Sequence, residues 1–117
     1  MFPENRRMIN RRMLSLLKDG SVFINTSRGA LVDEDALIEE LRTGRVTAVL
    51  DVFQHEPPSK GSPFYDLPNC IIAPHIAGSI NEECKRLGRQ ALKELKHYLT
   101  GEPFENEVTQ DMLDKIA

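Results

Sequence analysis

The sequence predicts an α/β fold built on a parallel sheet, and three observations carry that prediction. Three short apolar runs, at residues 22–25, 46–52 and 70–73, have the length and β-branched character of strands buried on both faces. Between the first two lies a segment with helical spacing, long enough to cross a sheet face and return the chain parallel to itself. A longer helical pattern then fills the C-terminal part as far as Gly101.

Each element has its own signal. Asn10 can cap a short helix whose apolar residues Met13, Leu14 and Leu17 share one side, and Asp19-Gly20 ends it at Lys18. Val22-Phe23-Ile24-Asn25 is too short for a helix and reads as the first strand. Asp33 can cap a second helix through Ala36, Leu37, Ile38 and Leu41, which stops at Thr43-Gly44. The second strand, 46–52, follows. Residues 54–69 hold four of the seven prolines and no periodicity, so they read as a long loop, which in a compact domain is often functional. Pro74 closes the third strand. Ser79 or Asn81 opens the longest helix, with Cys84, Leu87, Ala91, Leu92, Leu95, Tyr98 and Leu99 on one side and charged residues on the other. A short helical turn is expected at 110–116.

Length and composition limit what such a chain can do. At 117 residues it suffices for one domain, and 40% hydrophobic with 28% charged residues is the balance of a globular protein. No apolar run approaches the roughly 18 residues of a membrane span. A net charge of -3 gives no field to gather nucleic acid or anionic lipid. Cys70 and Cys84, the only cysteines, supply neither a disulfide framework nor a metal site, and no secretory signal opens the sequence; a cytoplasmic location is expected. Arg6, Arg7, Arg11 and Arg12 form a basic cluster that reads as a solvated face, and His97 reads as plain surface.

In an open parallel sheet, ligands bind beyond the carboxyl ends of the strands. Reading off the residues that follow each strand gives Thr26, Ser27, Arg28 and Gly29, then Asp51 and Glu56, then His75, Ala77 and Gly78. Singly, each has a structural explanation: a loop cation, a strand-end cap, a solvated carboxylate, an edge histidine. Together they place one guanidinium, two carboxylates and one imidazole on a single edge. A guanidinium fork can hold a carboxylate, and a histidine paired with a carboxylate can exchange a proton near neutral pH. That combination suits interconversion of 2-hydroxy and 2-oxo acids. His55, next to Glu56, could tune it.

The same residues carry a family resemblance. Asn25-Thr26-Ser27-Arg28-Gly29-Ala30-Leu31-Val32-Asp33-Glu34, then Leu50-Asp51-Val52-Phe53 with Glu56-Pro57, then Pro68-Asn69 and Ala73-Pro74-His75-Ile76-Ala77-Gly78 closely resemble signatures of the NAD-dependent D-isomer-specific 2-hydroxyacid dehydrogenases. The resemblance runs from residue 3 to about 107. It implies a partial Rossmann-like sheet, the second half of a doubly wound nucleotide-binding domain, with NAD as cofactor and NADP left open. It implies that Arg28 binds the substrate carboxylate and carbonyl oxygen, that His75 is the general acid/base, and that Glu56 keeps His75 protonated. Thr26, Ser27, Asp51, Ala77 and Gly78 would lie against the nicotinamide and its carboxamide.

What the family pattern has and this sequence lacks is equally specific. No two of the seven glycines stand two apart, so G-x-G-x-x-G is absent, as is any G-K-[ST] phosphate loop. The family's separate substrate domain has no counterpart either. Residues 1–117 are therefore expected to be one truncated cofactor-binding domain, inactive alone. They should form an oligomer or associate with the missing N-terminal segment through an open sheet edge. The alternative is a non-catalytic binding or regulatory module that reuses the dehydrogenase fold.

Overall fold

The computed structural model describes residues 3–113, which fall into two compact units, one up to Gly78 and one from Ser79. In the first unit a short helix α1 (Arg11–Ser15) leads to β1 (Val22–Asn25), α2 (Glu34–Arg42), β2 (Thr47–Leu50) and β3 (Cys70–Ile72). The strands form one parallel sheet in the order β1-β2-β3. As the spacing predicts, Asn10 caps α1 by accepting from the Met13 N–H, and Asp33 caps α2 by accepting from Ala36.

Strand alternation decides which face is dry. Ala48 and Leu50 of β2 are buried against Leu37 and Leu41 of α2, Leu14 of α1, and Phe64 from a single 3-10 turn (Pro63–Tyr65) inside the long loop. Each of these large side chains, fully withdrawn from water, contributes roughly 1.5–3 kcal/mol. The opposite face is different. Ile24, Val49 and Ile71 stand in one row across the sheet by register, and Ile24 and Ile71 remain 63% and 59% exposed. Burial of the strands on both faces, expected from their apolar composition, is therefore realised on one face only among the described residues.

Helix α1 is shorter than its apolar spacing predicts. The bonds Leu16 N–H to Met13 O and Leu17 N–H to Leu14 O tighten its end, and Arg45 takes the carbonyls of Leu14 and Leu17 while pairing with Glu40 at 2.6 Å. Nor is the basic cluster wholly free: Arg7 reaches Asp35 at 3.1 Å and Arg11 pairs with Glu39, both acids of α2. Asn69 donates to Leu41 O and Val46 O, fastening the end of the long loop to the helix-strand junction at 2.8 and 2.7 Å.

In the second unit, α3 (Glu82–Thr100) begins after Asn81, whose side chain makes no cap hydrogen bond, and ends at Gly101 with φ +70°. That left-handed conformation is the reason for glycine there. His97 is no plain surface residue: its side chain is only 14% exposed and its Nδ1 lies 2.9 Å from Pro103 O, while Glu94 accepts the N–H groups of Glu105 and Asn106. The tail thus folds back along the helix. The expected C-terminal turn appears at Gln110–Met112; residues 114–116 of that expectation lie outside the described ones.

Candidate active site

Three loops leave the carboxyl ends of the strands on the same edge. Asn25, the last residue of β1 and 7% exposed, organises the first. Its Oδ1 accepts the Ser27 N–H and its Nδ2 donates to Arg28 O, both at 3.1 Å, which bends the chain so that Thr26, Ser27 and Arg28 are exposed. The Arg28 guanidinium donates to Ser27 O at 2.7 Å. Immediately afterwards Gly29 is buried against the second loop. A Cβ there would lie 1.9 Å from the Phe53 carbonyl carbon, so only glycine permits this approach of two backbones.

In the second loop, Asp51 is 3% exposed and spends its carboxylate on the third loop. Oδ1 accepts the Ile76 N–H at 2.8 Å and Oδ2 the Ala77 N–H at 2.9 Å. Burial by itself would raise the Asp51 pKa, but the N–H groups of Ala77 and Ile76 and the nearby His75 outweigh it and hold the carboxyl below its ordinary range. Glu56 accepts the Phe53 N–H at 2.9 Å through Oε1, while Oε2 lies 2.5 Å from His75 Nδ1. The Phe53 N–H first, and then His75, lower the Glu56 pKa. His75 itself has φ +54°, uncommon for a residue with a side chain, and the two Asp51 hydrogen bonds hold the backbone just beyond it.

A cleft of about 400 Å³ opens beside the pair, bounded by Asp51, Glu56 and His75 and by the apolar side chains of Phe53, Tyr65 and Ile72. With Nδ1 facing Glu56, Nε2 is the imidazole nitrogen that no protein group engages among the described residues. The structure thus brings Asp51, Glu56 and His75 into one hydrogen-bonded arrangement. Thr26, Ser27 and Arg28 stand on the adjoining loop outside the cleft lining. Ala77 contributes through its N–H, and Gly78 is exposed with open space around it. Among the described residues, no group of three or more His, Cys, Asp or Glu could hold a metal ion, and no helix is long and apolar enough to cross a membrane.

Positioning residues went unread in the sequence. Asn25 had a usable signal, since an Asn two residues before Ser commonly makes this side-chain turn. Gln54 and Glu34 had none: Gln54 donates through Nε2 to Val32 O at 3.0 Å and through its main-chain N–H to Glu34 Oε1 at 2.7 Å, contacts that exist only once the chain is folded.

The low pKa values of Asp51 and Glu56 fix a sign for acid stability. Both groups bind protons less readily in the folded chain than in the unfolded one, so they favour folding above their unfolded pKa values of about 3.9 and 4.3. That contribution is lost as pH falls through the folded values. Glu34, raised by burial, acts in the opposite sense, because acidification relieves its buried charge. Thermal melts followed by circular dichroism are expected to show a falling midpoint below about pH 4.5, with a shallower fall in Asp51→Asn. An equally steep fall in that variant would remove Asp51 from the explanation.

Comparison with known proteins places this geometry. Residues 1–77 match the family described as D-isomer specific 2-hydroxyacid dehydrogenase, NAD binding domain. The D-3-phosphoglycerate dehydrogenase of Methanocaldococcus jannaschii is 40% identical over 120 residues, covering 97% of this chain and 23% of that protein. The hydroxypyruvate reductase of Blautia hydrogenotrophica is 38% identical over 104 residues, 88% of this chain and 32% of that protein. Among solved structures, a protein of Thermus thermophilus superposes with a TM-score of 0.86 at 41% identity, covering 93% of this chain and 35% of that one. An NADPH-dependent glyoxylate/hydroxypyruvate reductase of Sinorhizobium meliloti, solved with NADP and sulfate, gives 0.78 at 32% identity, covering 92% and 35%. This chain thus spans about a quarter to a third of the length of the relatives it matches. With a Rossmann-like parallel sheet and these loops at its carboxyl edge, the chain belongs to the D-isomer specific 2-hydroxyacid dehydrogenase family and matches its NAD-binding domain.

Proposed function

We propose that this chain supplies the proton-transfer and acid-orienting residues of an NAD(P)-dependent oxidoreductase acting on a D-2-hydroxy acid/2-oxo acid pair. The observation that carries the proposal is the 2.5 Å contact between Glu56 Oε2 and His75 Nδ1 at the mouth of an apolar-walled cleft, with His75 half exposed. Glu56 fixes a proton on Nδ1 and orients the ring, so that Nε2 of the imidazolium can give a proton to the carbonyl oxygen of a 2-oxo acid and recover it in the reverse direction. Arg28 offers a planar fork to the substrate carboxylate. The bound nicotinamide supplies or accepts the hydride.

The residues present suit the nicotinamide end of the cofactor and not its pyrophosphate. Each Asp51 oxygen keeps a lone pair after accepting one N–H, enough to receive a carboxamide, and Thr26, Ser27, Ala77 and Gly78 share that edge. The N-terminus of α2 offers no phosphate site, since it is closed by the Asp33 cap and flanked by Glu34 and Asp35. With no glycine-rich turn in the sequence, the pyrophosphate would be held by residues outside 1–117, and the row Ile24, Val49 and Ile71, exposed at Ile24 and Ile71, supports association with a further segment.

The test is to follow nicotinamide absorbance with glyoxylate or hydroxypyruvate, using this chain alone and mixed with the glycine-turn half of a family relative. Reduction only in the mixture is expected. Turnover by the chain alone would refute its dependence on a second segment, and none in a mixture shown to be associated would refute the oxidoreductase reading.

A further inference from the structure

The loop that carries Glu56 is anchored by packing at its start, where Phe53 is buried against Phe64 and the Gly29 backbone abuts Phe53 and Gln54. It runs between two cavities, the cleft beside His75 at about 400 Å³ and another of about 280 Å³ behind it, and Phe53, Pro57 and Pro58 line both. With space on either side of the loop, directed bonds add to that packing in setting its place. Three are present: Glu34 Oε1 accepts the Gln54 N–H at 2.7 Å, Gln54 Nε2 donates to Val32 O at 3.0 Å, and Phe53 N–H donates to Glu56 Oε1 at 2.9 Å. The first two tie the loop to the start of α2, and the third transmits its position to Glu56.

We propose that Glu34, at the first turn of α2, is a positioning residue for the Glu56–His75 pair, acting through the Gln54 N–H. Its carboxylate holds the backbone at residue 54, which places the Phe53 N–H beneath Glu56 Oε1 and so turns Oε2 toward His75. The role rests on the proposed chemistry of that pair only for its functional meaning; the linkage itself is a matter of geometry. Glu34 reaches no substrate and is not a catalytic residue. Its partial burial in the rear cavity, where the pKa is raised chiefly by desolvation, fits an acceptor kept in place by the fold rather than a free surface charge.

The titration of Glu56, followed by carbon-13 carboxyl resonances in this chain, reads the linkage. In Glu34→Ala the loop loses its tether, the Phe53 and His75 hydrogen bonds to Glu56 weaken, and the Glu56 midpoint is expected to rise by at least about half a pH unit. Glu34→Gln keeps an acceptor oxygen for the Gln54 N–H and should restore the wild-type midpoint. Glu34→Asp keeps the charge at the helix start but withdraws the oxygen by one methylene; it should behave like Glu34→Ala and serves if the alanine variant does not fold. Leu37→Ala, a core truncation, should lower the melting temperature without moving the midpoint. An unchanged midpoint in Glu34→Asp, or Glu34→Gln shifting as far as Glu34→Ala, would overturn the proposal. No nicotinamide or oxo acid enters this measurement, so its failure is distinct from failure of the oxidoreductase reading, which is scored by turnover.

Discussion

Replacing Gly29 with Ala is expected to destabilise the chain by about 3 kcal/mol, the upper end of the usual cost of overpacking. The added methyl would lie 1.9 Å from the carbonyl carbon of Phe53, 2.3 Å from its oxygen and 2.4 Å from the Gln54 nitrogen. All three are backbone atoms, so no rotamer change can make room. Either the loop bearing Arg28 or the loop bearing Glu56 has to retreat by more than an ångström. Movement of the first strains the Asn25 hydrogen bonds to Ser27 and Arg28; movement of the second strains the tether from Glu34. Urea unfolding gives the stability change directly. Gly61→Ala is the matched control, because a Cβ at Gly61 meets nothing within 4 Å, and its effect should stay within about 0.5 kcal/mol. A loss below about 1 kcal/mol in Gly29→Ala would show that the two loops are free to separate.

On activity the largest effect belongs to His75. Its replacement by Ala removes the proposed proton donor while leaving the sheet and the Asp51 clamp in place, because the clamp uses the main chain of Ile76 and Ala77. The rate of 2-oxo acid reduction, measured with the complementing segment present, should fall by about 10²–10⁴-fold, the contribution general acid catalysis ordinarily makes. Glu56→Gln should cost less, since an amide oxygen can still accept from Nδ1 and orient the ring but places no charge opposite the imidazolium. His97→Ala provides the comparison: that histidine is engaged with Pro103 O along α3, and its loss should leave turnover unchanged. A fall of less than about tenfold for His75→Ala would assign the proton to another donor.

The sequence made the elements legible where local chemistry decides them. Asn10 and Asp33 cap as spaced, Gly101 ends α3 in the left-handed conformation, and the apolar runs at 22–25 and 70–73 are strands. The parallel order followed from the crossover helix, and the position of Arg28, Asp51, Glu56 and His75 beyond the strand ends followed from the strand boundaries, although Arg28 stands outside the cleft that the other three line. The early end of α1 did not, because it depends on Arg45, whose partners lie 28 and 31 residues away. The second strand stops at Leu50 rather than residue 52: the Asp51 N–H still bonds Asn25 O, but the Phe53 N–H is taken by Glu56 Oε1. Gln54 and Glu34 were illegible for the same reason: an acid in a first helical turn is expected on helix-dipole grounds alone, which masks any second task.

The commitment of both Asp51 oxygens to the main chain has an electrostatic consequence for what the edge can admit. Asp51 cannot swing away to neutralise an incoming cation, so its negative charge is a permanent fixture beneath His75. Counting Arg28 and Glu56 with it, the four side chains sum to zero when the imidazole is protonated and to one negative charge when it is not. In the proposed reaction an anionic acid would meet a neutral edge only in the state that also holds a proton to give, so that admission and protonation would be selected by the same event.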